Sequence, residues 1–281
     1  ATAVVQHGVS VRHELGPELA ADVVWNGALV SRAAAEAERC TRLPVLLYHS
    51  IAETGPDGLA PWRVTPEQFE HQLRFLRRRG YRPVTLGEWE DARRRSAALS
   101  GRPVLITFDD GLADFADNAW PILQRNGFGA ELFVGSGAAG GSAQWDAHHG
   151  APTPLMDWDC LAELVSQGVG IGSHLHRHAA LDRLDAATLL TEARRSRETI
   201  EDRLGIAPQA VAPPYGICTP AHGELLARAG FDRVFLAAGG RAPVWGPRLA
   251  TPRIEIGGDM TIEDFAHAIG AIEPPEAADL P

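Results

Sequence analysis

An α/β fold built on a parallel sheet or barrel is what the sequence predicts, on three observations. Short apolar runs alternate with amphipathic helical patterns along nearly the whole chain, the rhythm of successive βα units. A length of 281 residues with 45% hydrophobic side chains suffices for one large barrel with a sizeable core. Explicit helix start and stop signals fall between the apolar runs, as they must if strands and helices take turns.

In chain order, the apolar runs predict strands at 44–48, 104–108, 130–134, 169–172, 210–213, 233–237 and 253–256. The first helix among them opens at Thr65, with Pro66 at its first position and Gln68 completing a capping box. Phe69, Leu73 and Leu76 share its apolar face, and Gly80 ends it. Asp185 opens another, in which Leu189, Ala193, Ser196, Ile200 and Leu204 recur at three and four before Gly205. Thr219 with Pro220, and Thr261 with Phe265 and Ile269, start two more. Residues 135–157, rich in glycine, proline and polar side chains, predict a long loop, which in a compact domain is more often functional than idle. The alanine-rich 33–39 predicts a short helix. The expected organisation is an N-terminal extension, 1–43, whose role the sequence leaves open, a barrel over 44–270 and a tail over 271–281.

Charge and composition remove several function classes. With 26 basic and 36 acidic side chains the net charge is −10, which argues against a nucleic-acid partner. Lysine is absent, so Schiff-base chemistry and the phosphate-binding lysine of P-loop enzymes are excluded. Cys40, Cys160 and Cys218 are too few and too far apart for a disulfide framework or a Cys-x-x-Cys zinc site, and imply a reducing compartment. No apolar stretch approaches the roughly 18 residues of a membrane span, and no basic start leads into an apolar run. A cytoplasmic location is therefore expected for the chain as it stands. Ala1 in place of methionine leaves room for a leader or upstream domain removed ahead of it. The oligomeric state is not legible.

Two segments carry chemistry. Thr107-Phe108-Asp109-Asp110-Gly111 follows the apolar run from Val104 to Ile106 and puts two carboxylates at a strand's carboxyl end, where α/β folds place their active sites. A plain acidic turn capping the next helix is the alternative. Gly172-Ser173-His174-Leu175-His176-Arg177-His178 follows the run from Val169 to Ile171. Histidines at i and i+4 lie on one face of a helical turn, so His174 and His178 can aim at one ion. An aspartate would complete a facial triad that zinc or a similar divalent ion accepts. His176, two residues from each, should point away.

These residues resemble the polysaccharide deacetylase family, the carbohydrate esterases of the NodB-homology domain. The family's Thr-Phe-Asp-Asp-Gly strand end and Ser-His-x-x-x-His turn are present in full. Ala212-Pro213-Pro214-Tyr215-Gly216 is similar to its Arg-Pro-Pro-Tyr segment except at the first position. The resemblance covers roughly residues 43–270. It implies a deformed (β/α) barrel of about seven parallel strands and metal-dependent hydrolysis of an N-acetyl amide on an amino sugar. Carried over residue by residue, it implies Asp109 as general base and Asp110, His174 and His178 as ligands of one divalent ion, Zn2+ first, with Co2+ or Ni2+ as alternatives. It makes the Tyr215 backbone N–H an oxyanion donor.

Two departures shape further expectations. Members with the full pattern end in a strand whose histidine protonates the leaving amine, yet after Tyr215 only His222 and His267 remain, both in helical stretches. Pro44-Val45-Leu46-Leu47-Tyr48-His49-Ser50 instead resembles the circularly permuted subset acting on poly-glucosamine-type exopolysaccharides, in which the acid segment has moved to the front. His49 is then the acid candidate. The family's arginine is replaced by Ala212, and Arg253 is a possible substitute for it or a substrate contact. Trp145 and Trp158 flank the long loop, and Trp158 is the candidate for stacking on a sugar ring, with core packing the equal alternative. The expected partner is an N-acetylated amino-sugar polymer, oligomer or conjugate. The rival readings are a hydrolase of a non-sugar amide or cyclic imide, and a catalytically impaired carbohydrate-binding domain.

Overall fold

A computed structural model of the chain describes residues 41–271. The expectations for Cys40, the 33–39 helix, most of the 1–43 extension and the tail lie outside the described residues. The strands are β1 (Arg42–Leu43), β2 (Val45–Tyr48), β3 (Ser50–Ile51), β4 (Arg63–Val64), β5 (Tyr81–Pro83), β6 (Arg102–Phe108), β7 (Glu131–Val134), β8 (Gly170–Ser173), β9 (Ala210–Val211), β10 (Arg233–Gly239), β11 (Ala242–Pro243) and β12 (Thr251–Glu255). The α-helices are α1 (Pro66–Arg78), α2 (Leu86–Arg94), α3 (Trp120–Asn126), α4 (Trp158–Ser166), α5 (Ala186–Leu204), α6 (Pro220–Arg228) and α7 (Ile262–Ala268).

Seven parallel strands close a barrel in the order β2, β12, β10, β9, β8, β7, β6, with β6 returning to β2 through Val45↔Leu105 to Tyr48↔Phe108. Each of the seven apolar runs forms one of these strands. β5 continues the sheet beyond β6. The capping boxes act as their sequence predicts: Thr65 accepts from the Gln68 backbone N–H and heads α1, and Thr219 and Thr261 head α6 and α7 in the same way. Asp185 caps α5, whose chain exits through Gly205 at φ 70°.

Strand alternation sorts the side chains. Leu46, Tyr48, Ile106, Phe108, Leu132 and Val134 point outward into the core beneath the helices. Leu105, Phe133, Ala210, Ala212 and Phe235 point inward, and the rings of Phe133 and Phe235 meet with centroids 5.4 Å apart. At the strands' N-terminal end α2 lies across the opening. Trp89 packs against Phe235, the Arg233 guanidinium stacks 3.9 Å from the Trp89 ring, and Glu90 pairs with Arg233. The loop over 135–157 is more ordered than its composition predicts. It holds a 3₁₀ turn, Gln144–His149, and is tied down by the bridges Leu112↔Leu155 and Ser142↔Pro154.

Candidate active site

The barrel's C-terminal end collects the chemistry. Parallel pairing puts Tyr48 beside Phe108, so His49 and Asp109 leave adjacent strands side by side, joined by the Asp109 N–H donating to the Tyr48 carbonyl at 3.1 Å. The Nδ1 of His49 is buried and unpaired, and the charge of its ring helps draw down the pKa of both Asp109 and Asp110. The geometry thus brings His49 to the two carboxylates that precede Gly111.

Asp110 turns away from its neighbour because its backbone is left-handed, at φ 73°. Its Oδ1 lies 3.1 Å from His178 Nε2 and 3.3 Å from His174 Nε2. His174 and His178 reach it by a route the sequence reading did not foresee. They lie not on a helical turn but on an irregular segment after β8, bent by left-handed φ at Leu175 (62°) and His178 (54°). The Leu175 N–H donates to Ser173 Oγ at 3.0 Å, which explains the serine ahead of the first histidine. Glu192 on α5 clamps the same segment, accepting from the Arg177 N–H and Nε. Left-handed non-glycine residues cost of order 1–2 kcal/mol each. Their concentration here marks a geometry that the rest of the fold imposes.

The donor set fits a divalent cation. One ligand atom from each of Asp110, His174 and His178 lies within 4.8 Å of the others, and all three side chains are nearly buried. His174 Nδ1 donates to the Ala212 carbonyl at 2.7 Å; a carbonyl cannot donate, so that nitrogen carries the proton and Nε2 is the one turned to Asp110. Burial drives the His178 pKa down, toward the neutral form that a ligand needs. Burial would also lower His174, but Asp109 and Asp110 outweigh it and raise its pKa, the pull any cation would feel there. His176 is turned aside, its Nδ1 3.0 Å from Ser136 Oγ.

Asp109 is held differently. Arg253 Nη1 and Nη2 donate to its two oxygens at 2.8 and 2.7 Å, while Nη1 also reaches Thr107 Oγ1 and Nε donates to the Leu236 carbonyl. Burial would raise the Asp109 pKa, but the Arg253 guanidinium, together with the charges of His174 and His49, outweighs it and the net shift is downward. Arg253 is only 1% exposed and donates to Asp109, Thr107 and the Leu236 carbonyl, the geometry of an arginine that orients the carboxylate rather than one open to a substrate.

The aromatic expectation also changes. Trp158, first residue of α4, packs half-buried against the main core. Trp145, from the long loop, lies on the His178 ring at 4.1 Å and 9°. Tyr215, left-handed at φ 62° and 57% exposed, meets the same ring edge-on at 5.1 Å. Trp145 and its neighbour Asp146, whose pKa is raised by burial and then by the charge of Asp110, lie against the Asp/His group, and the sequence assigned neither a role. Their one signal was membership of an overlong loop.

A closed α/β barrel with a carboxylate–histidine group and an arginine-held carboxylate at its strand ends defines the class. Residues 96–234 match the family model for polysaccharide deacetylase, and the chain carries a domain of that family, the NodB-homology or carbohydrate esterase family 4 type. It is 27% identical to YxkH of Bacillus subtilis (strain 168) over 179 residues, 64% of this chain and 58% of that protein. It is 22% identical to the poly-beta-1,6-N-acetyl-D-glucosamine N-deacetylase of Escherichia coli (strain K12), over 80% of this chain and 38% of that one. Among solved structures, IcaB from Ammonifex degensii superposes with a TM-score of 0.70 at 25% identity, covering 82% of this chain and 97% of IcaB. The chain thus spans about half the length, or less, of these two curated relatives. Among the described residues no helix is long and apolar enough to cross a membrane.

Proposed function

We propose that the chain hydrolyses the N-acetyl amide of amino sugars within a polymer, oligomer or conjugate, releasing acetate and a free amine. The observation that carries this reading is the pairing of roles at one barrel end. A carboxylate locked by Arg253 stands beside a separate Asp110, His174 and His178 group suited to one divalent ion, Zn2+ first among candidates. A resident ion would supply Lewis-acid polarisation of the carbonyl and of the attacking water. Asp109, kept ionised by Arg253, accepts the proton of that water as oxygen bonds to the acetyl carbon. His49, at the neighbouring strand end, returns a proton to the nitrogen as the carbon–nitrogen bond breaks, because an unprotonated amine leaves poorly. The Tyr215 backbone N–H is the proposed donor to the developing oxyanion, and the Trp145 and Tyr215 rings the proposed walls for the sugar. The permuted poly-glucosamine deacetylases, through the E. coli and IcaB relatives, support a β-1,6-linked glucosamine polymer as the first substrate to try.

The test is acetate release from N-acetylglucosamine oligomers, β-1,6- and β-1,4-linked, by protein stripped of metal and resupplied with zinc, cobalt or nickel. Turnover that vanishes on stripping and returns with one metal is expected. His49→Ala should lose about 10² to 10⁴ in amide turnover, with a smaller loss on an activated acetate ester. Release from cyclic imides alone, or sugar binding with no turnover under any metal, would replace this reading with one of its rivals.

A further inference from the structure

At the end of the barrel opposite the Asp/His group, α2 covers only part of the opening. Trp89 and Glu90 close it beneath β10. On the other side, between residues 83–88, the first residues of β7 and β8 and the segment 207–209, a cavity of about 470 Å³ remains. Glu131 stands in it. It opens β7, and strand alternation directs it inward like Phe133 two residues on. Gly170, its partner across β8, makes the room: a Cβ at Gly170 would collide with the Glu131 carboxylate.

Glu131 is 8% exposed, and among the described residues its carboxylate has no hydrogen bond or ion pair. Burial alone pushes its pKa up to about 7. The nearby charges are otherwise engaged: Glu88 pairs with Arg82, and Arg233 with Glu90. A buried carboxyl without a partner costs stability, which an apolar residue at the same place would avoid. The rest of the lining decides what could satisfy it. Val84, Leu86, Leu105 and Pro208 are apolar, and the other polar side chains of the lining are Thr85, Gln209 and the Arg82-paired Glu88. A metal ion would demand several oxygen ligands where one unpaired carboxylate is offered, an anion would be repelled by Glu131 and Glu88, and a free sugar would leave most of its hydroxyls facing the apolar part of the lining.

We propose that this cavity is a second binding site, for a small organic monocation whose ammonium or guanidinium head pairs with Glu131 and whose apolar body fills the space beside α2. The site lies at the other end of the barrel from the hydrolytic group and does not depend on the activity proposed for it. Calorimetric titration of the metal-loaded protein with benzylammonium, cyclohexylammonium and phenylguanidinium is the test, with benzyl alcohol as the uncharged counterpart. At least one cation should bind saturably, one per chain, at millimolar or lower concentration, and benzyl alcohol at least tenfold more weakly. Glu131→Gln should weaken the cation at least tenfold. Gly170→Ala, which pushes its methyl into the carboxylate, should do the same and carries the test if the glutamine variant fails to fold. Saturation by none of the three cations, or equal affinity in the parent and a folded variant, would overturn the proposal.

Discussion

Asp109 and Asp110 are adjacent and chemically identical, yet their surroundings differ. One is held by a guanidinium, as the proposed base, and the other faces two imidazole nitrogens, as the proposed ligand. Asp109→Asn should therefore keep its metal by elemental analysis and lose most acetate release, while Asp110→Asn should lose both. Equal metal loss in the two variants would contradict the division. Arg253 holds the Asp109 pKa below its ordinary value, so removing the cation must raise it. The acid limb of the pH–rate profile in Arg253→Met should move to higher pH, with Arg253→Lys between that variant and the parent. An unmoved limb in both variants would show that Asp109 titration does not set it. Glu131 works with the opposite sign on stability. Its folded pKa of about 7 lies above the ordinary 4.5, so its stabilising contribution is full below pH 4.5 and lost as pH rises toward 7. Chemical denaturation of Glu131→Gln and the parent should give a stability difference that grows in the variant's favour by up to about 3 kcal/mol between those pH values and is flat above them. A difference constant across that range would place the buried charge elsewhere.

At the level of elements, sequence alone carried the seven strands and the capped helices, because short apolar runs and capping boxes are local and need no tertiary information. It carried the Asp-Asp-Gly strand end and the histidine pair for the same reason. It failed where three-dimensional packing decides. The His174 to His178 segment is not helical, since Leu175 and His178 adopt left-handed backbone under constraint from Ser173 and Glu192, which lie on different elements. Trp145 rather than Trp158 lies on the His178 ring because the long loop is pinned to Leu112 through Leu155 and closed on itself by the Ser142↔Pro154 bridge, contacts no periodicity reveals. The pairing of Arg253 with Asp109 spans 144 residues and rests on barrel closure. One element offers a sharp packing test. Gly172 on β8 faces the Phe133 ring, and a Cβ there would overlap it. Gly172→Ala should cost about 1–3 kcal/mol by denaturant titration and displace His174 two residues on. Unchanged stability with unchanged metal affinity would mean that the interior can yield at no cost.

For the molecule as a whole, closure makes chain order and spatial order independent. β2 lies beside β12, so the first and last strands of the barrel are neighbours although they stand at opposite ends of the described chain. A permuted chain beginning in the exposed stretch Glu53–Gly55, with residues 41–52 joined by a flexible linker after residue 271, should bind metal and release acetate within about tenfold of the parent. Loss of both in a folded permutant would show that the order of the chain itself holds His49 in place. Closure has another consequence, for how these molecules treat one another. Sheets aggregate through unpaired flanks, and here β6 and β2 consume each other's. The flank left on the large sheet is that of β5, three residues that include Pro83, which has no N–H to offer, and Arg82, whose charge is held there by Glu88. Among the described residues, a neighbouring chain seeking to extend the large sheet finds only this short flank to copy, so β-type association through that sheet should wait until the seam between β2 and β6 opens.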